Sequence, residues 1–154
     1  MVEAPGFLVA LPLEKGVLLV MARFKEILDI NPVGRRAPCS LECVTWRSPR
    51  PLRRIIYYAP DPSSQIACSI GGNVAENAGG VHCLKYGLTV HNLLKIEVQT
   101  LDGEALTLGS DALDSPGFDL LALFTGSEGM LGVTTSDGKT AAEAARGAGS
   151  VSQL

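Results

Sequence analysis

The clearest periodic signal in the chain lies at residues 93–108, "LLKIEVQTLDGEALTL". Leu94, Ile96 and Val98 alternate with Lys95, Glu97 and Gln99, the period-two pattern of a strand with one face buried. Asp102-Gly103 supplies the positive-φ turn of a hairpin. Upstream, "KGVLLVMARFKEILDINP" reads as a buried strand over Gly16–Met21, a turn, and a short strand near Ile27–Ile30 that ends at Pro32. "YYAPDPSSQ", from Tyr57, is an ordered loop, because Pro60 and Pro62 remove donors and hold φ. "PGFDLLALFTGSEG", from Pro116, reads as a short helix with Phe118, Leu121 and Phe124 on its apolar face, ending in a glycine loop. Beyond Thr135 the tail "SDGKTAAEAARGAGSVSQL" is small, polar and Ala-rich, which suggests a frayed helix or disorder. No internal repeat is present. The order strand, loop, hairpin, helix and loop points to an α+β domain.

Composition sharpens this picture in three places. The 154 residues make one domain of ordinary size, and 46% hydrophobic content is enough for a packed core. A net charge of −3 asks for no nucleic acid or anionic membrane as partner. Six of the eight arginines (Arg35, Arg36, Arg47, Arg50, Arg53, Arg54) nevertheless crowd into twenty residues. A basic run such as "RSPRPLRR" can engage RNA or an acidic partner, but such runs are more often solvated faces. No convincing secretory signal opens the chain, since Pro12, Glu14 and Lys15 interrupt its first apolar stretch. No uninterrupted apolar run is long enough to span a bilayer. Cys39, Cys43, Cys68 and Cys83 read as reduced thiols of a cytoplasmic protein, because the Cys39/Cys43 spacing is no standard zinc pair and no His completes a site.

Two glycine-rich stretches flank the hairpin: "SIGGNVAENAGG", from Ser69, and "TGSEGMLGVTT", from Thr125. Glycine lets a ligand approach the main chain closely. Successive exposed N–H groups can then hold anionic oxygens, as a pyrophosphate site requires. Ser69 and Asn73 add neutral donors, and Lys85 could add charge. Neither GxGxxG nor GxxxxGK[ST] is present, so neither the Rossmann nor the P-loop reading applies. Composition alone leaves tight turns and a ligand site as equal readings.

"APDPSSQIACSIGGNVAENAGGVHCLKYG", followed by "TLDGE" and "FTGSEGMLGVTT", closely resembles the FAD-binding domain of the vanillyl-alcohol oxidase/p-cresol methylhydroxylase flavoproteins. The nearest branch holds the FAD-linked D subunits of bacterial glycolate oxidases, with D-lactate and D-2-hydroxyglutarate dehydrogenases. The match runs from Tyr57 to Thr135 and again from Ala10 to about Ala37. The resemblance implies an α+β fold whose two subdomains clamp an extended, non-covalent FAD. It places Pro60, Asp61 and Ser63 on the loop approaching the flavin, and Ser69, Gly71, Gly72 and Asn73 along the pyrophosphate. Ala78, Gly79, Gly80, Tyr86 and Gly87 continue that wall, while Gly126, Ser127, Glu128, Gly132 and Val133 approach from the second stretch. His82 is an ordinary loop histidine in this reading, since the branch uses no covalent flavin link. His91 belongs to packing or surface.

The resemblance fails in three segments, which limits the family domain to residues 10–135 and leaves 1–9 and 136–154 as disordered, non-family ends. "MVEAPGFLVA" stands where a GxGTGxxGGA phosphate loop belongs. Residues 38–56, with the arginines, the only Trp and two cysteines, replace a "VQPG" turn and a helix. "SDGKTAAEAARG" replaces a strand of the type "EVTVKLLPKP". Cys39–Cys43 can be written in codons that, shifted one base, encode Val-Gln-Pro-Gly-Val. Shifted readings near Val2–Gly6 and Ser136–Lys139 likewise restore Gly-Gly-Gly-Thr-Gly and Val-Thr-Val. The chain thus reads as a frameshifted, truncated fragment, marginally stable, with weakened hold on FAD and no catalytic residue of its own. The parent activity implied is oxidation of a small 2-hydroxy acid, glycolate first. Implied partners are a second FAD-binding subunit and an iron–sulfur subunit, at the inner face of the membrane. A non-catalytic flavin-binding module completed by another chain is the alternative.

Overall fold

The computed structural model describes residues 3–4, 7–8, 19–21, 23–31, 33, 36–40, 56–60, 62–64, 67–112, 117–141 and 143–144. The expected hairpin is its centre. Leu93–Gln99 (β5) pairs antiparallel with Ala105–Gly109 (β6), and Gly103 holds φ at +84° in the turn. Leu94, Ile96 and Val98 are buried while Lys95, Glu97 and Gln99 are half-exposed, as alternation requires. Two more strands, β3 at Arg36–Cys39 and β7 at Val133–Ala141, complete a four-stranded, all-antiparallel sheet in the order β3-β7-β5-β6. Two further pairs stand apart: Glu3–Ala4 (β1) with Phe7–Leu8 (β2), and Ile56–Tyr57 (β4) with Glu143–Ala144 (β8).

The tail therefore differs from the helix or disorder expected beyond Thr135. Residues 136–141 extend β7, lying between β5 on one side and β3 on the other. Pairing on both edges at Lys139 and Thr140, with Ser136 held by β5 and Gly138 by β3, carries the strand through the poor formers Asp137 and Gly138. That weakness shows in the register, which slips three times along β5·β7. A strand without clean alternation fixes its register weakly. The N-terminal end, expected to be disordered, holds the β1·β2 pair.

The strand expected over Gly16–Met21 is not formed at residues 19–21, and 16–18 lie outside the described residues. Near Ile27–Ile30 only an isolated bridge forms, Ile27 to Cys39, beside Leu28 N–H donating to the Pro38 carbonyl at 2.9 Å. Asn31 and Arg36 close a second bridge, so this segment borders β3 without joining the sheet as a strand. "RSPRPLRR" and Cys43 lie outside the described residues. Cys39 and Cys68 are buried and Cys83 is half-buried, none of them in a disulfide.

Three short helices pack against or near the sheet: Ile70–Glu76 (α1), Cys83–Tyr86 (α2) and Leu120–Phe124 (α3). The core unites Cys39, Ile70, Val74, Leu93, Ile96, Val98, Leu108 and Leu121, with Tyr58 and Phe124 half-buried against it. In α3, Leu121 and Phe124 meet the core as expected, but Phe118 is 91% exposed. The reason is the cap: Asp119 accepts from Ala122 N–H at 3.0 Å, so the helix starts after Phe118 and cannot carry it on its apolar face. Among the described residues no helix is long and apolar enough to cross a membrane.

Candidate functional site

The first glycine-rich stretch is a helix rather than an open loop. Two glycines in one turn cost about 1 kcal/mol each against alanine. Two local features offset them. Ser69 stands at the N-cap in extended conformation and accepts from Gly72 N–H at 3.2 Å. Ile70 and Val74, one turn apart, both enter the core. The helix stops where Asn77 takes a left-handed conformation (φ 50°, ψ 48°) and Ala78 N–H returns to the Asn73 carbonyl at 2.9 Å.

Past that stop the main chain is held from residues 89–90. Thr89 donates to the Ala78 carbonyl twice, from N–H at 3.0 Å and from its hydroxyl at 2.8 Å. Val90 N–H donates to the Asn77 side-chain oxygen at 3.0 Å. Behind Thr89, the Tyr58 hydroxyl lies 2.7 Å from its Oγ1. Burial pushes the Tyr58 phenol above its ordinary pKa, although the Thr89 hydrogen bond pulls the other way. The Cys68 and Cys39 thiols add smaller upward pushes, and Asn73 a small downward one from outside hydrogen-bonding geometry.

The second stretch folds back onto α1. Thr125 turns the chain out of α3, its hydroxyl donating to the Leu121 carbonyl at 2.7 Å. Gly126, at φ +85°, donates its N–H to the Val74 carbonyl at 2.8 Å, and Glu128 N–H reaches the Ala75 carbonyl at 3.0 Å. Two carbonyls at the open end of α1 are thereby satisfied. The same approach brings two carboxylates into one neighbourhood. Burial raises the Glu76 pKa first, and the Glu128 charge raises it further.

Between these pieces, α2 carries His82, Lys85 and Tyr86. The Lys85 ammonium sits 4.8 Å from the Tyr86 ring centroid, and His82 meets the same ring edge-on at 6.5 Å. The following turn is pinned by Asn92, whose amide donates to the carbonyls of Tyr86 and Leu88 at 3.0 and 2.9 Å. His91 is a cap rather than mere surface: its Nδ1 accepts from Leu88 N–H at 3.1 Å.

Of the residues singled out in the sequence, Gly126 and Glu128 bond the Val74 and Ala75 carbonyls of α1, the helix that also carries Gly71, Gly72 and Asn73. Ala78, Gly79 and Gly80 follow the helix stop, with Tyr86 and Gly87 half-buried nearby in sequence. Gly132 is buried beside the end of β5, where a Cβ would stand 2.8 Å from the Gln99 carbonyl, so sheet packing also requires a glycine there. Pro60 is buried, Ser63 is exposed and Asp61 lies outside the described residues. Sequence reasoning passed over Tyr58, Asn77, Thr89 and Asn92. The available signal was that Asn77, Thr89 and Asn92 are polar side chains able to bond main chain within or soon after the first glycine stretch, while nothing local marked Tyr58. Among the described residues no group of His, Cys, Asp and Glu could hold a metal.

The family described as FAD binding domain matches residues 6–109. Glycolate oxidase subunit GlcD of Escherichia coli (strain K12) is 84% identical over 129 residues, covering 82% of this chain and 26% of the relative. The subunit of the same name from Bacillus subtilis (strain 168) is 37% identical over 126 residues, covering 80% and 27%. A solved structure of alkyldihydroxyacetonephosphate synthase superposes with a TM-score of 0.67 at 22% identity, over 80% of this chain and 24% of that one. At that identity the likeness concerns the fold alone. The chain spans about a quarter of the length of the curated relatives it matches.

Proposed function

Because the chain belongs to the FAD binding domain family, with FAD as its cofactor, we propose that it is the cofactor-holding part of a flavin-dependent 2-hydroxy-acid oxidoreductase. Glycolate is the proposed substrate of the whole protein. The observation that carries this reading is the 84% identity to a glycolate oxidase subunit.

Two features support the fit to FAD. Asn73 is fully buried, and among the described residues neither atom of its amide has a hydrogen-bond partner. A buried orphan amide is costly, and a polar ligand beside α1 would relieve it. The Ala78 carbonyl is held by Thr89, which fixes the main chain leading into Gly79 and Gly80. Ser69, Gly71, Gly72, Asn73, Ala78, Gly79 and Gly80 would hold the cofactor from the first stretch. Gly126, Ser127, Glu128, Gly132 and Val133 would do so from the second, with Pro60, Asp61, Ser63, Tyr86 and Gly87 at the margins. Bound FAD supplies two-electron redox chemistry, while the protein's part is to bind, orient and shield. Electrons would leave through a second FAD-binding subunit and an iron–sulfur subunit, in a cytoplasmic complex at the inner face of the membrane.

For this chain alone we propose no catalysis. The motifs expected within residues 1–9, 38–56 and 136–154 are absent in frame, although the family match spans 6–109, and codon choices that restore them in shifted frames support an origin by frameshift. Sequencing the coding DNA across residues 1–12, 34–58 and 132–140 tests that origin: an unshifted gene overturns the frameshift reading of the molecule. The cofactor reading is tested by titrating FAD into the purified chain and following quenching of flavin fluorescence. Saturable binding is expected, and its absence overturns the reading. Turnover of D-lactate but not glycolate by the full-length parent would overturn the substrate. A second reading, a flavin module completed by another chain, would show as tight FAD binding only in the presence of that chain.

A further inference from the structure

The hydroxyl protons behind the helix stop can be assigned by counting. Thr89 has one hydroxyl proton, and it goes to the Ala78 carbonyl at 2.8 Å. Its Oγ1 can therefore only accept from Tyr58, 2.7 Å away, so both donors point the same way along the chain Tyr58, Thr89, Ala78. Such a series is mutually polarising. Thr89 is 1% exposed, which keeps water from competing for the Ala78 carbonyl.

The planar peptide unit transmits this hold. In a trans peptide the C=O of Ala78 and the N–H of Gly79 point in opposite directions. No cis peptide is present among the described residues. Fixing the carbonyl toward Thr89 therefore aims the Gly79 N–H away from it. Among the described residues that N–H has no acceptor. We propose that Tyr58 and Thr89 are positioning residues whose relay presents the Gly79 N–H, and the Ala78–Gly80 main chain with it, to an acceptor atom of the bound cofactor. The ligand's identity rests on the FAD reading above, whereas the relay rests on its own hydrogen bonds.

The test compares the chain with its Tyr58→Phe, Thr89→Val and Thr89→Ser variants by amide NMR and FAD titration. In the parent, backbone order parameters at Gly79 and Gly80 should be near the rigid value of about 0.85, falling toward 0.6 in Thr89→Val. Exchange of the Thr89 amide should rise about tenfold, matching loss of roughly one hydrogen bond. The Kd for FAD should weaken about tenfold, and addition of FAD should shift the Gly79 amide only where the relay is intact. Thr89→Ser restores all four readouts, and Tyr58→Phe gives an intermediate effect. The Ile96 amide, in the core strand, should not change. Unchanged Gly79 order, or Ile96 exchange rising in step, overturns the proposal; Tyr58→Phe decides it if Thr89→Val does not fold. If the parent chain binds no FAD, the cofactor reading falls, and the order and exchange measurements alone decide the relay.

Discussion

The main-chain N–H of Gly126 donates to the carbonyl oxygen of Val74 at 2.8 Å, so the second glycine-rich stretch closes the open end of α1. Glu128 repeats the contact on the Ala75 carbonyl at 3.0 Å. A seven-residue helix is far too short to persist alone in water. Its order depends on burial of Ile70 and Val74 and on these donors from fifty residues downstream. Anything that disturbs Gly126 should thus be felt in the first stretch as well.

Gly126→Ala should destabilise the chain by about 1–3 kcal/mol in urea unfolding. Gly126 holds φ at +85°, and a Cβ there would stand 3.2 Å from the Asn77 Cβ, at the residue that ends α1. Gly103→Ala is the control. Its φ of +84° is nearly the same, but a Cβ would meet nothing within 4 Å. The control should cost about 1 kcal/mol, from backbone strain alone. Equal losses in the two variants would show that the contact with Asn77 contributes nothing.

At Gly79 the limitation is space. A Cβ there would overlap the Leu88 side chain. Gly79→Ala should cost about 1–3 kcal/mol by overpacking. Leu88→Ala opens the room, so in that background the penalty should shrink, giving a coupling of about 0.5–3 kcal/mol in a double-mutant cycle. Additive losses would mean that overlap with Leu88 is not what the alanine costs.

The hairpin was legible because its signal is local: alternation fixes the buried face, and Asp102-Gly103 fixes the turn. The family was legible because long motifs around residues 57–135 keep their order. Other features were not legible, for physical reasons. The local Ser69 cap does not by itself outweigh the glycines of "SIGGNVAENAGG"; burial of Ile70 and Val74 against the sheet does, and that depends on tertiary context. Phe118 looks like a helix residue until Asp119 takes the cap. The extension of β7 past Thr135 rests on hydrogen bonds from β3 and β5, which no pattern in "SDGKTA" announces. The Tyr58–Thr89 contact joins residues 31 apart, a pairing that a single sequence does not encode in any period.

Alkaline pH should weaken the fold through Tyr58. Its folded pKa lies above the usual value of about 10, chiefly because burial penalises the phenolate. The unfolded chain loses the proton near that usual value, while the folded chain keeps it. Stability is thus intact below about pH 10 and falls as pH rises beyond it. Tyr58→Phe should flatten this fall in denaturant titrations at stepped pH, and should cost about 0.5–1.5 kcal/mol at neutral pH through the lost hydrogen bond to Thr89. An unchanged alkaline slope in the variant would assign the effect to another group.

At the acid end the sensitive group is Glu76. Burial raises its folded pKa, and the Glu128 carboxylate raises it further. Below the unfolded carboxylate value, about 4.3, both states hold the proton and Glu76 carries no penalty. As pH climbs through the raised folded pKa the charge must form in a poor environment, and stability is lost. Glu76→Gln should therefore raise the melting temperature at pH 7 and leave it unchanged at pH 3. Glu128→Gln relieves only the second cause, so its gain should be smaller. In the double variant the gains should fall short of their sum, because each removes the same repulsion. Fully additive gains would mean that the two carboxylates act independently, and that the closure of α1 by residues 126–128 brings no electrostatic cost at Glu76.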